Sequence, residues 1–435
     1  MEMEEVTISA PRFSVERGWP KLSASVIADG DRYDIFYRVS RGPLAEGAET
    51  FLAAGLMPAM KLGAALRIDA AVSTHFLQRV RRIQEILSSW FQDLHMVPVH
   101  VAEEVAAPPA TAAAGVGCFF SGGVDSFYTV LKHRAQITNL IFVHGFDVAL
   151  DNVHVRSVAA AGVQKGAAEL GIPLIEVETN LRDLLDAFTT QWASRAAGPA
   201  MASVALLCSP SLHEVYIARG VPYTALMFSG LHPYVMQLWG TPQLEIVDDG
   251  GEAERHEKVA RVAQSETALR YLRVCWQHLS DEYNCGQCVK CVHTMIDLHL
   301  AGALSKCYTL PPRLDLSLIR GLELKSLSDH AYFEEAQAMA EKKGGEDELV
   351  QALRACLGAT TTPTPDQANQ HAVRALRTRV SNLEADLART KRRAARLERQ
   401  RETVTASRSW RLTAPLRRAA DLGRRASEEV RSWRR

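Results

Sequence analysis

No stretch of this 435-residue chain approaches the eighteen or so consecutive apolar residues that a membrane-spanning helix needs. The opening run, Met1 to Glu5, is acidic and lacks the basic and apolar regions of a secretory leader. Both absences lead to the expectation of a cytoplasmic protein. Cysteine is scarce, eight residues in all. In a reducing compartment those thiols are expected as free groups or metal ligands rather than disulfides. Net charge is absent as well, 50 Lys+Arg balancing 50 Asp+Glu. That balance hides an asymmetry, because His371 to Arg435 holds 19 Lys+Arg against 7 Asp+Glu, a surplus of 12. An acidic globular body therefore carries a basic tail. What remains is an ordinary globular composition, 47% apolar and 23% charged, with length for two or three domains.

Two familiar phosphate signatures are missing, and their absence sharpens the stretch that replaces them. Val116 to Phe120 is an apolar run of strand type. Ser121, Gly122, Gly123, Val124, Asp125 and Ser126 follow at once, and an amphipathic helix with Phe127, Val130 and Leu131 comes next. A strand turning into a helix through Ser-Gly-Gly is a phosphate cradle in form. Glycines let backbone N–H groups approach an anion, the helix N-terminus adds partial positive charge, and the serines add hydroxyl donors. No Gly-Lys-Ser/Thr closes the loop, so it is not a Walker A loop, and the third glycine of the dinucleotide fingerprint is missing.

Before the loop, residues 1–110 are expected as an N-terminal α+β domain. Val6–Ala10, Ser23–Ile27, Tyr33–Tyr37 and Val97–Val101 have strand character, and Phe51–Leu62 and Phe76–Phe91 have helical character. Ala106–Ala114 is a low-complexity connector. From Gly115 the pattern becomes strand and helix in alternation. Strands are expected at Leu140–Val143, Pro173–Val177 and Val215–Ala218, with helices at Val153–Leu170, Leu181–Trp192 and Met201–Leu207. Such alternation predicts an α/β fold with a doubly wound parallel sheet, whose ligands sit beyond the carboxyl ends of the strands. That gathers Ser121–Ser126, His144, Gly145, Asp147 and Thr179–Arg182 around one crevice. Leu231–Tyr234 with Trp239 and Gly240 is read as a substrate-facing loop. Arg255, Lys258 and Arg261 share one helix face, either solvated or neutralising an anion.

The second strong pattern is Cys275, nine residues, then Cys285, Cys288 and Cys291 at two-residue gaps. Four cysteines in seventeen residues meet the demands of a tetrahedral thiolate site, and Gly286 relieves the backbone between them. Zn2+ is the first expectation and an iron–sulfur cluster the alternative. His278 and His293 are near enough to serve as alternative ligands.

The Ser-Gly-Gly-Val-Asp-Ser loop resembles the PP-loop of the N-type ATP pyrophosphatases. With Cys-x9-Cys-x2-Cys-x2-Cys roughly 150 residues later, the order of parts resembles the 7-cyano-7-deazaguanine synthase family over residues 115–305. The segments Leu269–Trp276 and Tyr283–Cys291 resemble a separate branch of that group. The resemblance implies an adenine nucleotide alpha hydrolase-like fold and an enzyme that splits ATP to AMP and pyrophosphate. The AMP would activate a carboxylate or amide for nitrogen transfer. It implies ATP, Mg2+ and a structural Zn2+. Ser121, Gly122, Gly123, Val124, Asp125 and Ser126 would be nucleotide-binding, with Ser121, Asp125 and Ser126 catalytic, and the four cysteines would be zinc ligands. His144, Gly145, Asp147, Arg182 and Lys258 are further candidates for nucleotide contacts. Two other readings stand beside it. One is a sulfur-transfer enzyme using Cys118, and the other is a coiled-coil scaffold carrying a relic nucleotide fold.

Residues 111–310 form the nucleotide domain on this reading, 311–358 a helical appendage and 359–372 a linker. Residues 373–435 form a coiled coil in which Leu376, Val380, Leu383, Leu387, Ala394, Leu397 and Val404 keep 4–3 spacing, with Thr390 and Arg401 as weak members. Ser407–Leu416 resembles a segment that follows coiled coils in bacterial glycosyltransferases and other surface-polysaccharide proteins. Self-association into a homo-oligomer is the first expectation for this tail. Docking to a membrane surface or a glycosyltransferase comes second. Nucleic acid comes last, since no nucleic-acid-reading module accompanies the charge.

Overall fold

The computed structural model describes residues 5–107, 115–189, 191–275, 282–325 and 327–359. The expected coiled coil and His278 lie outside them. The N-terminal stretch supplies β1 (Glu5–Ile8), β2 (Arg12–Glu16), β3 (Trp19–Ala28), β4 (Asp31–Val39), α1 (Ala48–Leu62), β5 (Ala65–Ser73), α2 (Thr74–Trp90) and β6 (Val99–Val105). The alternating stretch supplies β7 (Gly115–Phe119), α3 (Val124–Lys132), β8 (Asn139–His144), α4 (Val153–Leu170), β9 (Leu174–Thr179), α5 (Leu181–Phe188), α6 (Ala197–Leu207), β10 (Leu212–Ala218), α7 (Pro233–Met236) and β11 (Glu245–Asp249). Helices follow to the end: α8 (Arg255–Val262), α9 (Glu266–Tyr271), α10 (Val289–Leu300), α11 (Leu316–Arg320), α12 (Leu327–Lys343) and α13 (Asp347–Ala359).

All these strands join one mixed, mostly parallel sheet in the order β11-β10-β7-β8-β9-β4-β3-β1-β5-β6, with β2 paired to β3. The five strands from β11 to β9 are mutually parallel. Their order turns back at β7, the strand that feeds the glycine loop. Side chains alternate between two cores, as the period of two requires. Phe119, Ile141, Val215 and Ile217 enter one core with α1, α5 and α6. Cys118, Phe120, Leu140, Phe142 and Tyr216 enter the other with α3, α4 and α9. The strands β7, β8 and β10 therefore pack side chains into a core on each face.

The expected boundary near residue 110 does not interrupt the sheet. β4 runs antiparallel against β9, with Tyr37 opposite Thr179 and Val39 opposite Val177. Asn180, placed by sequence beside the crevice, closes this seam instead. Its Oδ1 accepts from the Phe36 N–H at 3.0 Å and its Nδ2 donates to the Asp34 carbonyl at 3.1 Å. Arg38 bonds Glu178 across the seam, and Arg156 donates to the same carboxylate at 2.7 Å. The helix expected at Leu181–Trp192 stops at Phe188 and gives way to a π-turn at Trp192–Ala196. β5 and β11 were not anticipated, because their apolar positions are interrupted by Ala or Asp. Trp239 is fully buried against Phe76 and belongs to the core rather than to a substrate loop. Among the described residues no helix is long and apolar enough to cross a membrane.

Burial pushes the Glu178 carboxyl up, but Arg38 and Arg156 outweigh it and hold the group below its usual range. A depressed carboxyl stabilises the fold above its unfolded value, about 4.3, and that contribution disappears as pH falls through the folded value. Arg38→Met should cost about 3 kcal/mol at neutral pH by leaving an almost buried carboxylate with one partner fewer. Urea denaturation of the full chain measures this, and the difference from the unaltered chain should shrink in acid.

Candidate functional site

The glycine loop leaves β7 buried and enters α3 at Gly123, its N-cap. Gly122 sits at φ +76°, in the left-handed region that favours glycine. No side chain caps the helix, so its first-turn N–H groups remain available to an anion. Ser121 Oγ accepts from the Gly123 N–H at 3.3 Å and lies 3.5 Å from Ser126 Oγ, which donates to the Gly123 carbonyl at 3.0 Å. Phe120 and Phe127 pack edge to face across the turn, their centroids 4.9 Å apart, and pin its two ends.

Facing the loop is a cavity of about 400 Å³, within the range of small-ligand sites. Its lining includes the apolar Phe146, Trp192, Met201 and Leu231, together with the loop, Asp125, Asp147, Arg255, Arg273 and Lys290. Asp125 lies 3.1 Å from Arg255 Nη1 and 3.5 Å from Lys258 Nζ. Burial pushes its carboxyl up, but Arg255, Lys258 and Lys290 outweigh that and hold it below the usual range. Lys258 is completely buried, and its Nζ donates to the Arg219 carbonyl at 2.6 Å. Burial pushes its ammonium down. Arg273 is 5% exposed and lies 4.0 Å from Asp147, and its Nη2 is buried without a hydrogen-bond partner.

The structure brings Ser121, Gly123, Val124, Asp125, Ser126 and Asp147 onto this cavity. Gly122 lies beside it, its carbonyl accepting from the Arg273 N–H at 2.7 Å. Four other candidates stand behind the wall. His144 Nε2 pairs with Glu176 at 3.0 Å. Gly145, at φ +97°, lies so close to Thr179 that a Cβ would come within 2.0 Å of its carbonyl oxygen. Arg182 bonds Asp186 and the Phe146 carbonyl, and its guanidinium lies 4.1 Å from the Trp192 ring centre. Lys258 holds Asp125. Of the expected cationic helix face, Arg255 and Lys258 turn inward, while Arg261 bonds the Leu131 carbonyl at the surface.

Sequence reasoning did not single out Arg273 and Lys290. Their signal was position: Arg273 is two residues before Cys275, and Lys290 stands between Cys288 and Cys291. The four cysteines are buried and their sulfurs lie within 4.8 Å of one another. A tetrahedral zinc with bonds of about 2.3 Å sets its sulfurs about 3.8 Å apart. Cys285 and Cys291 are separated by 3.8 Å. Four sulfurs this close are placed to hold a single metal ion such as zinc, whereas the corners of a four-iron cluster would need them farther apart. Hydrogen bonding from Cys291 pushes the Cys288 thiol down to about 5, and the same contact pushes Cys291 up. Gly286 takes φ +68° between two of the ligands. His293 points elsewhere, 3.5 Å from Asp297 and stacked on Tyr332. Asn284 locks the knuckle to its neighbours. Its Oδ1 accepts from the Val274 and Cys275 N–H groups, and its Nδ2 donates to the Leu272 and Thr309 carbonyls.

No family model, curated protein or solved structure matches this chain.

The full chain should carry about one zinc ion per molecule, counted by elemental analysis, and Cys291→Ser should lose it. Stripping the ion with a chelator should lower Tm, because the bonds of Asn284 alone must then hold the knuckle.

Proposed function

We propose that this chain is an ATP-dependent enzyme on a doubly wound sheet, cleaving ATP to AMP and pyrophosphate to activate a small-molecule carboxylate or amide for nitrogen transfer. One observation carries the reading. Arg273, almost wholly buried, has a nitrogen without a protein partner and lines the cavity that the glycine loop faces. A buried guanidinium N–H left unpaired is costly unless a ligand oxygen meets it. An uncapped helix N-terminus and two serine hydroxyls line the same space, so several donors converge where an anion would sit.

Bound there, ATP supplies an activated α-phosphoryl group: an acceptor oxygen bonds to the α-phosphorus as the bond to pyrophosphate breaks, and a nitrogen nucleophile later displaces AMP. The loop N–H groups, Ser121 and Ser126 would hold the departing anion, with Arg273 and Lys290 countering its growing charge. Phe146 and Trp192, in edge contact with each other and steadied by Arg182, offer an apolar surface to a base. Asp125 is not placed to hold magnesium. Two cations already share its carboxylate, and a divalent ion would meet them as like charges. Its fitting role is to orient Arg255 and the first turn of α3.

Sulfur transfer through Cys118 is disfavoured by the site itself. The side chain is fully buried on β7, and burial pushes its thiol far above the range in which a thiolate forms. We assign the tail, residues 373–435, to self-association and to docking in a cytoplasmic setting. Its link to surface polysaccharide rests on Ser407–Leu416.

Incubating the zinc-loaded chain with ATP, magnesium, ammonium and a library of carboxylic acids should produce AMP with at least one of them. Arg273→Met should lower kcat/KM for ATP by about a hundredfold, and Ser126→Ala by about tenfold. Absence of AMP and pyrophosphate with every acid, with metal bound and the fold intact, would sink the enzyme reading.

A further inference from the structure

Tyr283, one residue before Asn284, reaches from the knuckle to α4. Its Oη donates to the Tyr271 carbonyl at 2.9 Å. Its ring fills the place that a side chain on Gly162 would take: a Cβ there would come within 2.4 Å of Oη and 2.5 Å of Cε2. One turn along α4, a Cβ on Gly166 would lie 3.4 Å from Tyr271 Cβ. At the next turn Glu169 accepts from Arg270 at 2.7 Å and from Thr267 at 2.9 Å. Positions 162, 166 and 169 share one helix face, so α4 receives α9 and the knuckle tyrosine along a single line. An interior glycine weakens a helix relative to alanine. At Gly162 the ring it admits accounts for the choice.

The same hydroxyl also meets the glycine loop. A Cβ on Gly122 would lie 3.6 Å from Tyr283 Oη, and as far from the Tyr271 carbonyl and from Arg273 Cβ. Residues 271–273 therefore pass beside Gly122 with the tyrosine seated against them. Asn284 makes no such contact. Its four bonds go to Leu272, Val274, Cys275 and Thr309, and none goes to the loop or to α4.

We propose that Tyr283 is a positioning residue that couples metal binding at the knuckle to anion binding at the glycine loop. The inference deepens the functional reading above and rests on it for what the loop binds. A metal on the four sulfurs would order residues 285–291. The seated ring would pass that order to residues 271–273, and so to the bond between the Arg273 N–H and the Gly122 carbonyl. An anion held by the loop and Arg273 would tighten the same contacts from the other end. Linkage requires each ligand to raise the other's affinity by one and the same factor. A bound polyphosphate would thereby protect the metal from loss.

The decisive variant is Gly162→Ala. It evicts the ring, removes no donor from the cavity and cuts none of the Asn284 bonds, and alanine suits a helix better than glycine. Tyr283→Leu removes the ring from the other side of the contact. The zinc affinity of the full chain is measured by competition with a chromophoric chelator, with and without tripolyphosphate or ATP. Either anion should tighten zinc about tenfold, and zinc should tighten either anion by the same factor. Both variants should still bind zinc and anion, with the mutual factor reduced to about twofold or less. The proposal is overturned if the unaltered chain binds both ligands without mutual effect, or if either variant keeps the full factor. If tripolyphosphate shows the coupling while ATP does not bind, the nucleotide reading fails and the coupling stands. If neither anion binds, both fall.

Discussion

The hydrogen bond from the Arg273 N–H to the Gly122 carbonyl, 2.7 Å long, is the contact on which the candidate site depends. A glycine loop before a helix is common in proteins and binds nothing in particular by itself. Here its left-handed residue turns a carbonyl outward, and the irregular segment entering the cysteine knuckle takes it up. The knuckle is rigid for two separate reasons, its four convergent sulfurs and the four bonds of Asn284. Arg273 and Lys290 border the loop's cavity from a segment that the Asn284 bonds hold in place and that a metal on the four sulfurs would fix further. On the proposed function, the cysteine cluster would bear directly on anion binding, as supporting residues commonly do at metal sites.

The electrostatics of the cavity follow from the same arrangement. Arg255, Lys258 and Arg273 are buried beside the Asp125 carboxylate, with Lys290 and Asp147 exposed at the cavity's edge. Placing cations close together away from water is expensive unless anions accompany them. Asp125 settles the account for Arg255 and Lys258 by binding both. Asp147 is 61% exposed and only distantly paired with Arg273, so the surplus positive charge falls on Arg273 and Lys290, the two residues that the knuckle delivers. The deficit is local and directional, and it is this, more than the loop's sequence, that argues for an anionic ligand.

Much of this was legible in the sequence, for identifiable reasons. The loop and the cysteines carry their geometry in short spacings, and the structure places Ser121, Asp125, Ser126 and the four sulfurs as those spacings require. Of the parallel strands, β7, β8, β9 and β10 were readable from their clustered apolar residues, whereas β11, with only Ile246 and Val247 apolar, was not. Long-range relations were not readable. Nothing local in Asn180 tells that its amide closes a seam with Asp34 and Phe36 rather than facing a ligand. His144 and Gly145 were placed by the rule that ligands gather beyond strand ends, yet Glu176 and Thr179 occupy the space beside them. Arg273 and Lys290 carry no local signal among the cysteines around them. What distinguishes them is three-dimensional: the Arg273 Nη2 has no hydrogen-bond partner, and among the described residues Lys290 has no ion pair.

The antiparallel join between β4 and β9 also bears on how the chain is made. The Phe36 amide waits for a side chain 144 residues later, and the Tyr37 hydroxyl bonds Ser203, 166 residues on. A ribosome delivers the first six strands and two helices well before either partner exists. During that interval the edge of β4 is a bare row of donors and acceptors, open to pairing with a neighbouring nascent chain. Synthesis of β9 and α6 ends the exposure. The N-terminal stretch would then complete its fold late and by long-range closure, a slow step that makes this edge the part of the molecule most in need of a chaperone.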